Sequence, residues 1–300
     1  MSILERVRLA PIFLPDIGIT TKRRTILFRD LLVHVDGSEA ARARVRLAIR
    51  LCLLSKARLN GIHVTPPADV PPVYKPSQID AASEILEGRL SADAKAAAAV
   101  FQSETAGTSI KTTWSSVAGD IAHEVSLAAR CNDLVIVGQY EWQGPATSHP
   151  LPVAHSVVTH CGRPLLIVPA AVSSDPMTSA IIAWDGSREC VRAVHDAIPL
   201  LHGMSSVQLV AVTSPDKVSD TADTTMLTEH LGRHDITVSL LPFVHTDESE
   251  HKALLRILIA AECDLLVMGG YSRPPWYEFL FGGATKSVLL HAKTTVLISH

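Results

Sequence analysis

Two tripeptides carry the residues best suited to chemistry. Asp36-Gly37-Ser38 and Asp185-Gly186-Ser187 each close a short apolar run, at 31–35 and 180–184. A carboxylate at such a position can orient a polar ligand, and Asp-Gly-Ser also caps a tight turn; the two roles can coexist. A second set follows the apolar run 265–268: Gly269, Ser272, Gly282, Gly283 and Thr285, with nine residues between Ser272 and Gly282. Glycines let backbone N–H groups approach a phosphate closely, and a following helix directs its positive end at the anion. Equally, such glycines serve a tight loop whose aromatic residues, Trp276, Tyr277, Phe279 and Phe281, pack against another surface. Arg273 and Lys286 either offset phosphate charge or sit solvated on the surface.

Other chemistries find less support. There is no Gly-x-Ser-x-Gly elbow, no Walker phosphate loop and no Gly-x-Gly-x-x-Gly fingerprint, which argues against an ordinary hydrolase or dehydrogenase. Weak ATP hydrolysis is the most that can be entertained, and no general base can be named for it. Among fourteen histidines, His149, His155 and His160 lie close in sequence, but spacings of six and five do not share a helical face and no metal set is expected. His160 and His291 occupy matched positions ahead of the last apolar run of each half, where a helix C-terminal role is the economical account. The five cysteines include no Cys-x-x-Cys pair and read as reduced thiols of a cytoplasmic protein.

The elements that must position these residues occur twice. Residues 31–38 are answered by 180–187 and 133–138 by 264–269, the two offsets being 149 and 131 positions. The copies therefore differ by 18 residues, all between the first Asp-Gly-Ser and the later Asp-Leu run. Only two copies of such length argue for duplicated domains rather than a solenoid. We expect an N-terminal extension at 1–27, a first domain at 28–170, a linker near 171–178 and a second domain at 177–300.

In the first copy, strands are expected at 30–35, 58–64, 109–115, 133–137 and 165–168, with helices at 39–54, 77–105 and 120–129. In the second, strands are expected at 179–184, 206–212, 236–243, 264–268 and 295–298, with helices at 188–201, 224–233, 248–261 and 284–291. Alternating β and α runs imply parallel strands joined by right-handed crossovers, with helices on both faces. The fold class is α/β: two doubly wound, open, parallel five-stranded sheets in tandem, Rossmann-like. Such sheets bind small molecules beyond the carboxyl ends of their strands, where strand order reverses. Asp36, Asp185 and the glycine loops fall there.

Charge is nearly balanced, 27 basic against 30 acidic residues, so no nucleic-acid surface is expected. No apolar run approaches the ~20 residues that cross a bilayer.

The tandem Asp-Gly-Ser strand ends, His63-Val64 after the second strand, 267–273 and Phe281-Gly282-Gly283-Ala284-Thr285 together resemble the universal stress protein family. The resemblance covers nearly everything from 28 to 300. It implies a fold similar to adenine nucleotide α-hydrolase-like domains, a role in stress response and, in one branch, ATP held by Gly-x-x-Gly, nine residues, then Gly-Ser or Gly-Thr; for the second copy of this chain ATP, with Mg²⁺ beside it, is the cofactor to be tested. Carried onto this chain, Asp185 lies near the nucleoside, the backbone of Val212 meets the adenine edge, and Gly269, Ser272, Gly282, Gly283 and Thr285 form the phosphate loop. Ser272 replaces the second glycine and Gly283 the expected hydroxyl, so the loop is half kept. In the first copy Asp36 and Val64 match, but Leu151 and Pro152 replace the later glycine pair, and that site reads as degenerate. The alternative is an interaction protein that binds no nucleotide and presents the apolar loop 271–281 to unknown protein partners. The family further implies pairing of 165–168 with 295–298, and a homodimer is a further expectation.

Overall fold

The computed structural model describes residues 28–68, 79–139, 153–171, 176–211, 221–241, 263–270, 288 and 292–300. The expected helix 248–261, all of the expected helix 284–291 except Val288, His149, His291 and loop 271–281 lie outside this set.

Apolar residues alternate to opposite faces along the first strand, β1 (Asp30–His34). Leu31 and Val33 enter one core and Leu32 the other. Both faces must therefore be covered, and they are. Helices α1 (Glu39–Ser55) and α2 (Ile79–Thr105) lie over the core that holds Leu31, while α3 (Ile121–Ala129) and α4 (Val153–His160) cover the other. Strands β2 (Arg58–Thr65), β3 (Thr112–Ala118), β4 (Leu134–Gly138) and β5 (Leu165–Val168) complete the first copy. The second has β6 (Ser179–Trp184), α5 (Arg188–Leu201), β7 (Ser206–Ala211), α6 (Thr221–Arg233), β8 (Ser239–Leu240), β9 (Leu265–Gly269) and β10 (Thr295–Ser299).

Each copy orders its strands 3-2-1-4-5, all parallel, but the two five-stranded sheets are not separate. They join through β5 and β10 into one ten-stranded sheet, β3-β2-β1-β4-β5-β10-β9-β6-β7-β8. The junction is antiparallel, with Val296 opposite Ile167, Leu297 opposite Leu166 and Ile298 opposite Leu165. Its residues are buried and shared between the two cores, which run across it without interruption. Two sheet edges that would otherwise face water with unpaired backbone groups are thereby eliminated.

The expected strand 109–115 begins three residues late, where Thr112 pairs with Leu59. The expected strand 236–243 shortens to Ser239–Leu240, an exposed sheet edge with one neighbour; Ile236 is buried instead against the end of α6, its N–H bonded to Leu231 O. The repeated aspartates ahead of β4 and β9 have a structural task. Asp133 Oδ2 accepts the N–H groups of Arg29 and Asp30, and Asp264 Oδ2 those of Thr178 and Ser179 plus both their hydroxyls at 2.8–3.1 Å. Burial works to raise the Asp264 pKa, but these bonds outweigh it and the carboxyl sits below its ordinary value. Each aspartate thus staples the start of the neighbouring strand.

Candidate functional site

Strand order reverses between β1 and β4 and again between β6 and β9, which opens a crevice at the carboxyl end of each pair. The Asp-Gly-Ser turns sit at those ends. In both copies the serine N-caps the next helix: Ala41 N–H donates to Ser38 Oγ at 3.3 Å and Cys190 N–H to Ser187 Oγ at 3.2 Å. The aspartate braces the serine, Asp185 Oδ1 accepting Ser187 N–H at 3.0 Å and Ser187 Oγ–H at 2.6 Å. Asp36 Oδ1 makes the same pair of bonds to Ser38. Turn capping is therefore what one oxygen of each carboxylate does. Ser187→Ala should cost about 1 kcal/mol in urea unfolding, the usual worth of an N-cap.

The second oxygen separates the copies. Asp36 Oδ2 is 2.8 Å from Nη2 of Arg44, a side chain only 3% exposed. The Arg44 guanidinium also lies directly over Gly138, where Nη1 occupies the place a β-carbon would take. The crevice between β1 and β4 is thus filled by the chain's own cation, whose Nε is buried without a hydrogen-bond partner. Burial opposes ionisation of Asp36, yet Arg44 and the Ser38 bonds win and lower its pKa to about 2. His34 at the end of β1 is driven the other way in charge: burial, then Arg44, lower it to about 4. His63 closes the group, its Nδ1 2.9 Å from Val35 O and its Nε2 4.0 Å from Asp93 on α2.

At the offset of 149, Arg44 corresponds to Ala193. Nothing fills the second crevice from that position. Asp185 is exposed, and among the described residues its Oδ2 meets no cation. Gly269, the match of Gly138, is instead met by the backbone of α5, with Cys190 N 2.5 Å and Glu189 C 2.8 Å from the place of an added β-carbon. Gly186 adopts φ +72°, a left-handed turn that suits glycine. Asp223 on α6 flanks that turn, accepting Trp184 Nε1–H at 2.7 Å.

Of the residues expected to bind nucleotide, Asp185 and Gly269 are brought to the ends of two adjacent strands. Val212, Ser272, Gly282, Gly283 and Thr285 lie outside the described residues. Cys190 beside them is no nucleophile: burial pushes its thiol up to about 12, and Sγ–H donates to Ala183 O at 3.1 Å. The cysteines at 52, 131, 161, 190 and 263 are all free thiols. His160 ends α4 with Nδ1 2.8 Å from Ser156 O, as expected of a helix C-terminus. A cavity of ≈ 440 Å³ lined by Asp30, Arg58 and Lys111 lies at the opposite, amino end of the first strands. Arg44, Asp93 and Asp223 were not singled out from sequence. Arg44 had a usable signal, since it falls in phase with the apolar positions Ala41, Val45 and Ala48.

The sequence profile of the universal stress protein family matches residues 27–169 and again 177–300. Among solved structures, a universal stress protein from Archaeoglobus fulgidus superposes with a TM-score of 0.65 at 18% identity, covering 90% of this chain and 95% of that one. One from Pseudomonas aeruginosa gives a TM-score of 0.54 at 11% identity, covering 91% and 93%. Both show the fold alone. A universal stress protein solved in complex with cAMP covers 48% of this chain and 99% of its own at 20% identity, with a TM-score of 0.30, too low to bear on the ligand here. No curated protein matches the sequence.

Proposed function

Because the chain belongs to the universal stress protein family, matched in both halves, we propose that it acts in stress response through a single working nucleotide site, in the second copy. The ligand is ATP or a related adenine nucleotide, with Mg²⁺ as companion ion. The observation that carries this reading is the contrast at one position. Arg44 plugs the first crevice and neutralises Asp36, whereas Ala193 supplies no such cation, and Asp185 Oδ2, which meets none among the described residues, would accept hydrogen bonds from a nucleoside. Gly269 at the end of β9 begins the loop whose glycines, Gly282 and Gly283, would admit phosphate to backbone N–H groups. Ser272 and Thr285 offer hydroxyls, and Val212 follows β7 where a base edge would lie.

Calorimetric titration of ATP, with and without Mg²⁺, into wild type and Gly282→Asp tests it. The expected result is one site per chain, lost in the variant because a carboxylate at the loop repels phosphate. Absence of binding, once mass spectrometry excludes nucleotide carried through purification, would overturn the proposal. It would leave the apolar loop 271–281 as a surface for protein partners.

A further inference from the structure

At the end of the sheet opposite the first crevice, the amino ends of three neighbouring strands gather basic side chains. Arg29 precedes β1, Arg58 opens β2 and Lys111 precedes β3. Main-chain bonds hold these starts side by side: Arg58 N–H donates to Arg29 O at 2.8 Å and Leu59 N–H to Lys111 O at 2.9 Å. Lys56 joins them from the end of α1, where it caps the helix in a left-handed conformation, φ 55°. The four line a cavity of ≈ 440 Å³ together with one carboxylate, Asp30, and an apolar wall from Leu53 and Ile110.

The usual reasons for surface cations do not account for this group. On the neighbouring face of α1, Arg42 and Arg46 sit against Glu104. Among the described residues, by contrast, no carboxylate lies within 4.0 Å of Arg29, Lys56, Arg58 or Lys111. Cations are favoured at the carboxyl end of a helix, which would explain Lys56 and Arg58 if the fold demanded them. The second copy shows that it does not. Asp30 faces Arg58 as Ser179 faces Ser206, and Asn60 faces Thr113 as Gln208 faces Ser239. In that register Arg29, Lys56, Arg58 and Lys111 correspond to Thr178, Met204, Ser206 and Thr237, all neutral. The same framework is built there without charge, so the positive cavity is particular to the first copy.

A cleft lined by one sign of charge focuses its field and concentrates counter-ions. Here four cations outnumber the single carboxylate of Asp30, an excess suited to two linked phosphates rather than one. Guanidinium forks grip phosphate oxygens in pairs, and lysine adds a point charge. We propose that this cavity is a binding site for a diphosphate group, free or borne by a small organic molecule whose remainder lies against Leu53 and Ile110. It does not rest on nucleotide binding in the second crevice.

Calorimetric titration of inorganic pyrophosphate, inorganic phosphate and butyl diphosphate into the full chain tests it, with Arg58→Gln, Lys111→Gln, Lys95→Gln and Gly282→Asp as variants. Expected is one site for pyrophosphate, about tenfold weaker in Arg58→Gln and in Lys111→Gln, the worth of one charge-assisted hydrogen bond. Inorganic phosphate should bind more weakly than pyrophosphate. Lys95 is exposed on α2 outside the cavity, so Lys95→Gln should bind as wild type does, and so should Gly282→Asp, which alters the other copy. Tighter binding of butyl diphosphate than of pyrophosphate assigns an organic ligand and equal binding the free ion; both support the site. Arg58 and Lys111 are exposed, so both variants should keep the wild-type urea midpoint, and each repeats the test should the other not. No binding of either diphosphate, affinity unchanged in both cavity variants, an equal loss in Lys95→Gln, or a loss in Gly282→Asp alone would overturn the site.

Discussion

Gly269→Ala is expected to destabilise the protein by about 3 kcal/mol, the upper part of the range for overpacking a filled interior. The added methyl would meet Cys190 N at 2.5 Å, Glu189 C at 2.8 Å and Cys190 Cα at 2.9 Å, all main-chain or nearly so. Relief requires moving the first turn of α5 away from β9, which would also disturb the Ser187 cap and the Asp185 turn. The matched change in the first copy, Gly138→Ala, should cost only about 1 kcal/mol, because a flexible side chain can yield where a helix backbone cannot. There the obstacle is the Arg44 guanidinium. Its retreat would loosen the bond to Asp36 without shifting α1. Urea unfolding of both variants decides the matter; equal losses would contradict the contrast drawn between the two crevices.

That contrast also marks where sequence reading stopped. The paired Asp-Gly-Ser turns, the Asp-Leu runs and their offsets predict the order of elements, because buried parallel strands must be apolar on both faces and turns must carry small polar residues. The matched ends 165–168 and 295–298 meet as the family resemblance implied. The expected strand 236–243 is longer than the observed Ser239–Leu240, since an edge strand with one partner leaves no burial signal to fix its length. Arg44 was missed for another reason: arginine on a helix ordinarily reads as a solvated face, as Arg42 and Arg46 are, both paired to Glu104. Only its phase with Ala41 and Ala48, and the alanine at its counterpart Ala193, set it apart.

Acid should weaken the first copy well before its carboxylates protonate, and His34 is the reason. Its folded pKa is about 4, lowered by burial, then Arg44, with Asp36 opposing and His63 adding. In the unfolded chain it titrates near the ordinary 6.5. Between these values the unfolded chain takes up a proton that the folded one refuses. Stability is therefore whole above pH 6.5 and falls as pH drops toward 4, by about 3 kcal/mol at 1.36 kcal/mol per pH unit. Asp36 acts lower: its contribution is complete above its ordinary 3.8 and is lost as pH falls through about 2. That contribution is only on the order of 1 kcal/mol, since the carboxylate is 37% exposed and water screens its pairing with Arg44. The pH 4–6.5 window thus separates His34 from Asp36, and the His34→Gln variant picks out its share from that of other groups whose pKa is shifted, such as His230 and Asp196. Guanidinium unfolding at pH 7.0, 5.5 and 4.5 should show a steep loss for wild type and a shallower one for His34→Gln, which carries no titrating ring. Parallel slopes, or a His34 midpoint above 6 by NMR titration, would contradict it. The same protons explain why the first crevice keeps its plug at neutral pH: with His34 neutral and Asp36 ionised, Arg44 is paired with the carboxylate beside it, and the pair holds itself in place.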